Sequence, residues 1–183
     1  MSDYSLSKPQ ADLLECETPT IDIVGEVNNK MFQYVRTAVM YLRSKGNPDI
    51  DVVITSPGGS VEAGLDIYDL LRLYKGNTVA TVHDMAASMG ALILQACDER
   101  RCAIHSGILI HHILTDKVSL DVLRSEKRLK KMIDSMEEKQ ARKYQVLAER
   151  TGKSVSNIRR ECAKNKTMTA EEALKFGLID SII

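Results

Sequence analysis

Ser88 stands among small residues, in Ala86-Ala87-Ser88-Met89-Gly90-Ala91, after an apolar segment and at the expected start of a helix. The first amides of a helix have no intrahelical acceptor and carry a partial positive charge. A serine there has two uses. It can cap the helix, or it can be a nucleophile whose neighbouring amides hold an oxyanion. A second turn, Ser56-Pro57-Gly58-Gly59, follows another apolar segment, and its glycines let a backbone come close to a ligand. A serine nucleophile also needs a base. The candidates are His83, His105, His111 and His112. His111 ends the apolar run Ile108-Leu109-Ile110 and can reach the same rim as Ser88. In an extended strand His112 would point the other way.

These residues need strands that end together. Ile21, Ile23 and Val24 read as a short strand ending at Gly25, and Asn28 as the cap of a helix with Phe32, Val35, Val39 and Leu42 at helical spacing. Gly46-Asn47-Pro48 stops that helix. Asp51–Thr55 is β-branched and nearly continuously apolar, which predicts a strand buried on both faces. A helix with Val61, Leu65, Ile67, Leu70 and Leu71 follows, then a strand over Thr78–Val82, then the helix at Ser88. Cys102–Ile104 and Ile108–Ile110 read as two further short strands. Alternation of strand and helix predicts an α/β fold with parallel strands, and ligands in such sheets bind at the carboxyl ends of the strands.

From Ser119 to about Arg150 the sequence reads as one charged helix without Gly or Pro, about 45 Å long at roughly 1.5 Å per residue. Leu129, Met132, Ile133, Met136, Tyr144 and Leu147 form a narrow apolar stripe on it, which resembles an association seam as well as a solvated surface helix. Thr169-Ala170-Glu171-Glu172 is a capping box, and Gly177 suits a helix C-terminus. Residues 1–20, with Pro9 and Pro19, read as an N-terminal arm and residues 21–183 as one domain.

The 183-residue chain is 44% apolar and has 25 basic and 25 acidic residues. That balance offers no global field for nucleic acid or an anionic membrane. No apolar run approaches the roughly 18 residues of a membrane span, and MSDYSLSKPQ lacks a signal-peptide pattern. The expected compartment is the cytoplasm, or a host cytoplasm for a virus-encoded chain. Cys16, Cys97, Cys102 and Cys162 fit no zinc spacing and are expected to be buried and reduced.

Four segments taken in order, Ser-Pro-Gly-Gly at 56–59, Ala-Ala-Ser-Met-Gly-Ala at 86–91, Ile-Leu-Ile-His at 108–111 and Gly-Leu-Ile-Asp at 177–180, resemble the signature segments of the Clp protease proteolytic subunit, ClpP. The resemblance runs over roughly residues 21–183. It implies a crotonase-like α/β fold whose long helix, at about 119–150, is a handle joining two heptameric rings into a tetradecamer. It implies ATP-independent serine endopeptidase activity without cofactor or metal, on peptides and on unfolded proteins delivered by an AAA+ unfoldase. Residue by residue, it makes Ser88 the nucleophile, His111 the general base, and Gly59 and Met89 the donors of the oxyanion hole.

The third triad position falls on Asn165, where the family usually has Asp. Asn can orient the imidazole through its carbonyl oxygen but brings no charge to stabilise an imidazolium. The same change in a serine-protease triad costs about 10⁴ in turnover. Asp180, the nearest Asp downstream, is an alternative partner. Asp84 stands where the family commonly has Gly, His112-Ile113 replaces Gln-Pro, and Leu114–Val118 replaces a glycine-rich stretch that lines the substrate groove. Three functions remain open at this point. They are an active peptidase, a weakly active or inactive structural subunit in a mixed ring with an active ClpP, and a crotonase-fold enzyme acting on an acyl thioester.

Overall fold

The computed structural model describes residues 5–115 and 118–183. Helix α1 (Lys8–Leu14) lies within the segment read as an arm and buries Leu14 against the first strand. From β1 (Thr20–Val27) onward the chain alternates as its pattern predicts, through α2 (Asn29–Ser44), β2 (Ile50–Gly59), α3 (Val61–Arg72), β3 (Thr78–Ala87) and α4 (Met89–Leu94). Asn28 caps α2, its Oδ1 accepting from the amides of Lys30 and Met31. The aliphatic stripes of α2 and α3 and nearly all of α4 are buried against one face of the sheet. In the absence of Trp, these aliphatic and Met side chains make up most of the core.

β1, β2 and β3 pair in parallel, followed in the sheet by β4 (Glu99–Cys102) and β7 (Ser181–Ile182). β4 covers only the first half of β3, from Val79 to Val82. The second half, Met85 to Ala87, pairs in parallel with β5 (Gly107–Leu109), and β5 pairs antiparallel with β6 (Met168–Thr169). β3 therefore changes partner midway, and its last residues lie beside the segment that leads into His111.

β2 is not buried on both faces as its composition predicts. Ile50, Val52 and Ile54 are buried, whereas Asp51, Val53 and Thr55 are half-exposed. The helices cover one face of the sheet and leave the other partly open, which admits Asp22 and Asp51 beside β-branched residues.

The long charged segment is interrupted. α5 (Leu120–Leu123) stops, and α6 (Glu126–Thr151) starts afresh because Ser125 Oγ accepts from the Arg128 amide and acts as a new N-cap. Ser119 does the same for α5. Serine side chains that compete for backbone amides break a helix that periodicity alone would carry through. Within α6 the only buried residues are Lys143, Tyr144 and Leu147. Its first half has no buried residue, with Ile133 exposed and Met132 and Met136 half-buried. α7 (Val155–Lys164) and α8 (Ala170–Phe176) complete the chain, α8 entered through the Thr169–Glu172 capping box.

Three cysteines are buried, and burial pushes their thiols up to about 12 for Cys97 and about 11 for Cys102 and Cys162. Cys16 is exposed, contrary to its expected burial. It follows α1, where the chain runs over the surface before β1.

The C-terminus is locked by Arg100. Its guanidinium donates to both oxygens of Asp180, at 2.9 and 2.5 Å, and to the carbonyls of Arg150 and Gly177 and the side chain of Gln95. These bonds hold the carboxyl of Asp180 below the usual carboxylate range. The Arg100 side chain is 8% exposed and that of Asp180 41%, so losing the carboxylate leaves a buried cation unpaired. Asp180→Ala is expected to cost about 2–3 kcal/mol, less than a fully buried pair because Asp180 is partly solvated. The lowered carboxyl value means this contribution is present above the ordinary value of 3.8 and is lost as the pH falls through the folded-state value. Urea unfolding at pH 7 and pH 3 checks both points. A variant as stable as the parent at pH 7 would contradict this account of the lock.

Candidate active site

Ser88 occupies the junction of β3 and α4 with φ 54° and ψ −114°. A non-glycine residue there is strained and needs its surroundings to hold it. Its amide donates to the Leu109 carbonyl at 2.8 Å, which extends the β3–β5 pairing by one bond. The side chain makes no capping bond. A serine at a helix start usually uses its hydroxyl on the second or third amide, and this strained backbone leaves Oγ free of that duty. The next amide, of Met89, is the first of α4 and has no acceptor within the helix.

Against this junction packs the turn at the end of β2. Ser56 is buried, donating through Oγ to the Gly25 carbonyl at 2.7 Å and accepting from the Gly58 amide at 3.1 Å. Gly58 has φ 95° and Gly59 φ 149°. A Cβ on Gly58 would lie 2.5 Å from Ser88 Cβ and 3.0 Å from the Met89 nitrogen. The Gly58-Gly59 turn and the Ser88-Met89 step are thus in backbone contact, and the two expected oxyanion donors belong to these two pieces. Asp84 also has a left-handed φ of 63°, which suits the glycine usual there and which Asp tolerates.

His111 follows β5 by two residues, and the parallel register Ala87↔Leu109 brings it beside the Ser88 junction. Its segment is clamped by α6 at three consecutive residues. Lys143 Nζ donates to the His111 carbonyl at 2.6 Å, the Tyr144 hydroxyl and His112 Nδ1 share a hydrogen bond at 2.5 Å, and the Ile113 amide donates to Gln140 Oε1 at 2.5 Å. His112 is thereby committed to the long helix, in line with its expected direction away from Ser88. Desolvation, then the charge of Lys143, hold His111 below the usual histidine value, with a weaker polar interaction of the His112 backbone opposing them. Its Nδ1 is buried and makes no hydrogen bond. His83 and His105 are exposed.

Asn165 is the C-cap of α7, in the left-handed conformation with φ 47°, and is exposed. Asparagine is one of the few residues other than glycine that favour this position. The antiparallel pairs Gly107↔Thr169 and Ile108↔Met168 lead back from β6 towards Asn165 as β5 leads on towards His111, and the pairing ends at Met168. Among the described residues, however, the Asn165 side chain makes no hydrogen bond, and neither does Ser88 Oγ with His111. The fold brings the serine and histidine segments together and leaves the third residue unengaged. Asp180, the alternative partner, has both of its oxygens bonded to Arg100 at the β4–β7 end.

Sequence reasoning missed Lys143. It lay between apolar positions of a charged helix and looked like one more solvated lysine, yet it is fully buried at the base of the site. The replaced groove segment includes Asp116 and Lys117, which lie outside the described residues.

The profile of the Clp protease family matches residues 9–183.

The contact between Gly58 and Ser88 makes Gly58→Ala a sharp probe. The new methyl would meet Ser88 Cβ at 2.5 Å and sit at a left-handed φ. The expected result is a loss of peptide hydrolysis of about 100-fold or more, with a fall in stability of about 1–3 kcal/mol, read with a fluorogenic peptide and a thermal melt. Hydrolysis by Gly58→Ala at the parent rate would mean that the turn is not part of the site.

Proposed function

This chain belongs to the Clp protease family, and from that premise we propose that it is a ring-forming serine endopeptidase with Ser88 as nucleophile and His111 as general base. The observation that carries this reading is the strained Ser88 junction. Its amide is pinned to Leu109, its hydroxyl is released from capping, and the His111 segment lies next to it.

The chemistry follows from the parts. Ser88 Oγ attacks the peptide carbonyl while His111 takes its proton, and the developing oxyanion sits between the amides of Gly59 and Met89. His111 then protonates the leaving amine, and water, deprotonated by the same imidazole, hydrolyses the acyl-enzyme. Asn165 serves as the third member by accepting through Oδ1 from the Nδ1–H of His111, which fixes the tautomer that faces Ser88. The unsatisfied Nδ1 of His111 and the open side chain of Asn165 are two halves of that missing bond. The first half of α6, where Ile133 is exposed and Met132 and Met136 are half-buried, supports a handle between heptameric rings, and the partners are further copies of the chain, an AAA+ unfoldase and peptide substrates.

The same unengaged Asn165 favours a second reading, a weakly active subunit that works in a mixed ring with an active ClpP. One pair of variants separates the two. A fluorophosphonate probe is expected to label the parent protein at Ser88, and Ser88→Ala, still folded, to remain unlabelled. Asn165→Asp supplies the anion that the imidazolium lacks and is expected to raise kcat on a short peptide by roughly 10- to 1000-fold, with KM little changed. Equal labelling of the parent and Ser88→Ala would sink the nucleophile, and an unlabelled parent with an unchanged Asn165→Asp would leave the structural subunit standing.

A further inference from the structure

Lys143 is 1% exposed, the most deeply buried charged side chain among the described residues. It lies on the buried stretch of α6 that also carries Tyr144 and Leu147, near the α7 residue Cys162. Its ammonium bonds to the His111 carbonyl at 2.6 Å and forms no ion pair with a carboxylate among the described residues. Burying an ammonium against a single neutral acceptor is costly, and Met or Leu would fill the same space without that cost. What a lysine adds here is directed at one place, the residue read above as the base.

We propose that Lys143 is a positioning residue for the reaction, anchoring the carbonyl of His111 at the end of β5 and holding an uncompensated positive charge beside the imidazole. This rests on His111 being the general base. Among the described residues, the charged and titratable groups around the pair leave the charge unanswered. From α7, Cys162 faces Lys143, but its thiol is pushed up to about 11 and is neutral where histidine titrates. Glu161, on the same helix, is paired with Lys164. On the His111 segment itself, His112 is bonded to Tyr144 of α6. From the β3–α4 junction comes Ser88, and from the C-cap of α7 Asn165, both uncharged. A family site that usually sets an anion against its histidine here sets a cation.

The sign of the consequence is fixed. A cation beside the imidazole, added to desolvation, holds His111 below the usual histidine value. The base therefore stays neutral, and able to accept a proton, to lower pH than an ordinary imidazole. The acid limb of kcat/KM follows the base of the free enzyme, so cleavage persists further into acid. Burial also pulls down the value of Lys143 itself, so its charge is lost at lower pH than that of an ordinary lysine.

The test is a pH titration of the assembled protein with ¹³Cε1-labelled histidine, the His111 signal being identified by its loss in His111→Gln. In the parent the His111 midpoint is expected below the ordinary histidine value. Lys143→Met is expected to move it upward and to carry the acid limb of kcat/KM upward with it, whereas Lys143→Arg keeps both low. The plateau kcat combines a lost anchor with a relieved repulsion, so the limb is the readout. A midpoint that does not move in Lys143→Met overturns the proposal. If that variant does not fold, a parent midpoint at or above the ordinary value overturns it alone. The histidine signal does not depend on cleavage, so a failure of Ser88 as nucleophile registers separately, in the fluorophosphonate experiment.

Discussion

The backbone of Ser88 turns from strand to helix in a conformation that only glycine adopts without strain, and most of the site is arranged to hold it there. The Leu109 carbonyl takes its amide, which requires β5 to lie along the last residues of β3. β5 can lie there because β4 ends at Cys102, opposite Val82, and gives up the rest of the β3 edge. The Gly58-Gly59 turn presses on the junction from the β2 side and is itself tied back by Ser56 to Gly25 of β1. Strain of about 1–3 kcal/mol persists only where the surroundings over-determine it. Here three strands and a glycine turn do so, and the outcome is a serine hydroxyl that the helix does not use.

The second feature is the clamp of α6 on the three residues His111, His112 and Ile113. The same helix has no buried residue in its first half and a buried end that grips the His111 segment. An ion pair between Lys139 and Glu62 adds a link from α6 to the start of α3. The electrostatics of the site are unusual for a triad. Among the described residues no carboxylate is bonded to His111, Asp180 is locked to Arg100, and the charge of Lys143 acts on the imidazole.

Much of this was legible in the sequence. The strand–helix alternation, the Asn28 and Thr169 caps, and the placement of Ser88 and of the glycine turn at strand ends all follow from local rules, and local bonds enforce them. The misses have local causes too. The break before α6 came from Ser125 capturing an amide, a choice between two good local structures that periodicity does not see. β2 was expected to be buried on both faces because an apolar run reports composition, not how many layers cover a sheet. Lys143 was invisible because burial of a lysine on a charged helix depends on where that helix docks. Whether Asn165 meets His111 is likewise not written in either residue, since each has a complete local reason for its backbone, one as a C-cap and one following a strand.

The central claim is that Ser88 and the two flanking amides form one catalytic surface. A crystal structure of the assembled protein treated with a peptide boronic acid tests it most directly. The account predicts a bond from boron to Ser88 Oγ, with a boronate oxygen within hydrogen-bond distance of the amides of both Gly59 and Met89. Boron bound at another residue, or bound at Ser88 with its oxygens turned away from both amides, would contradict it.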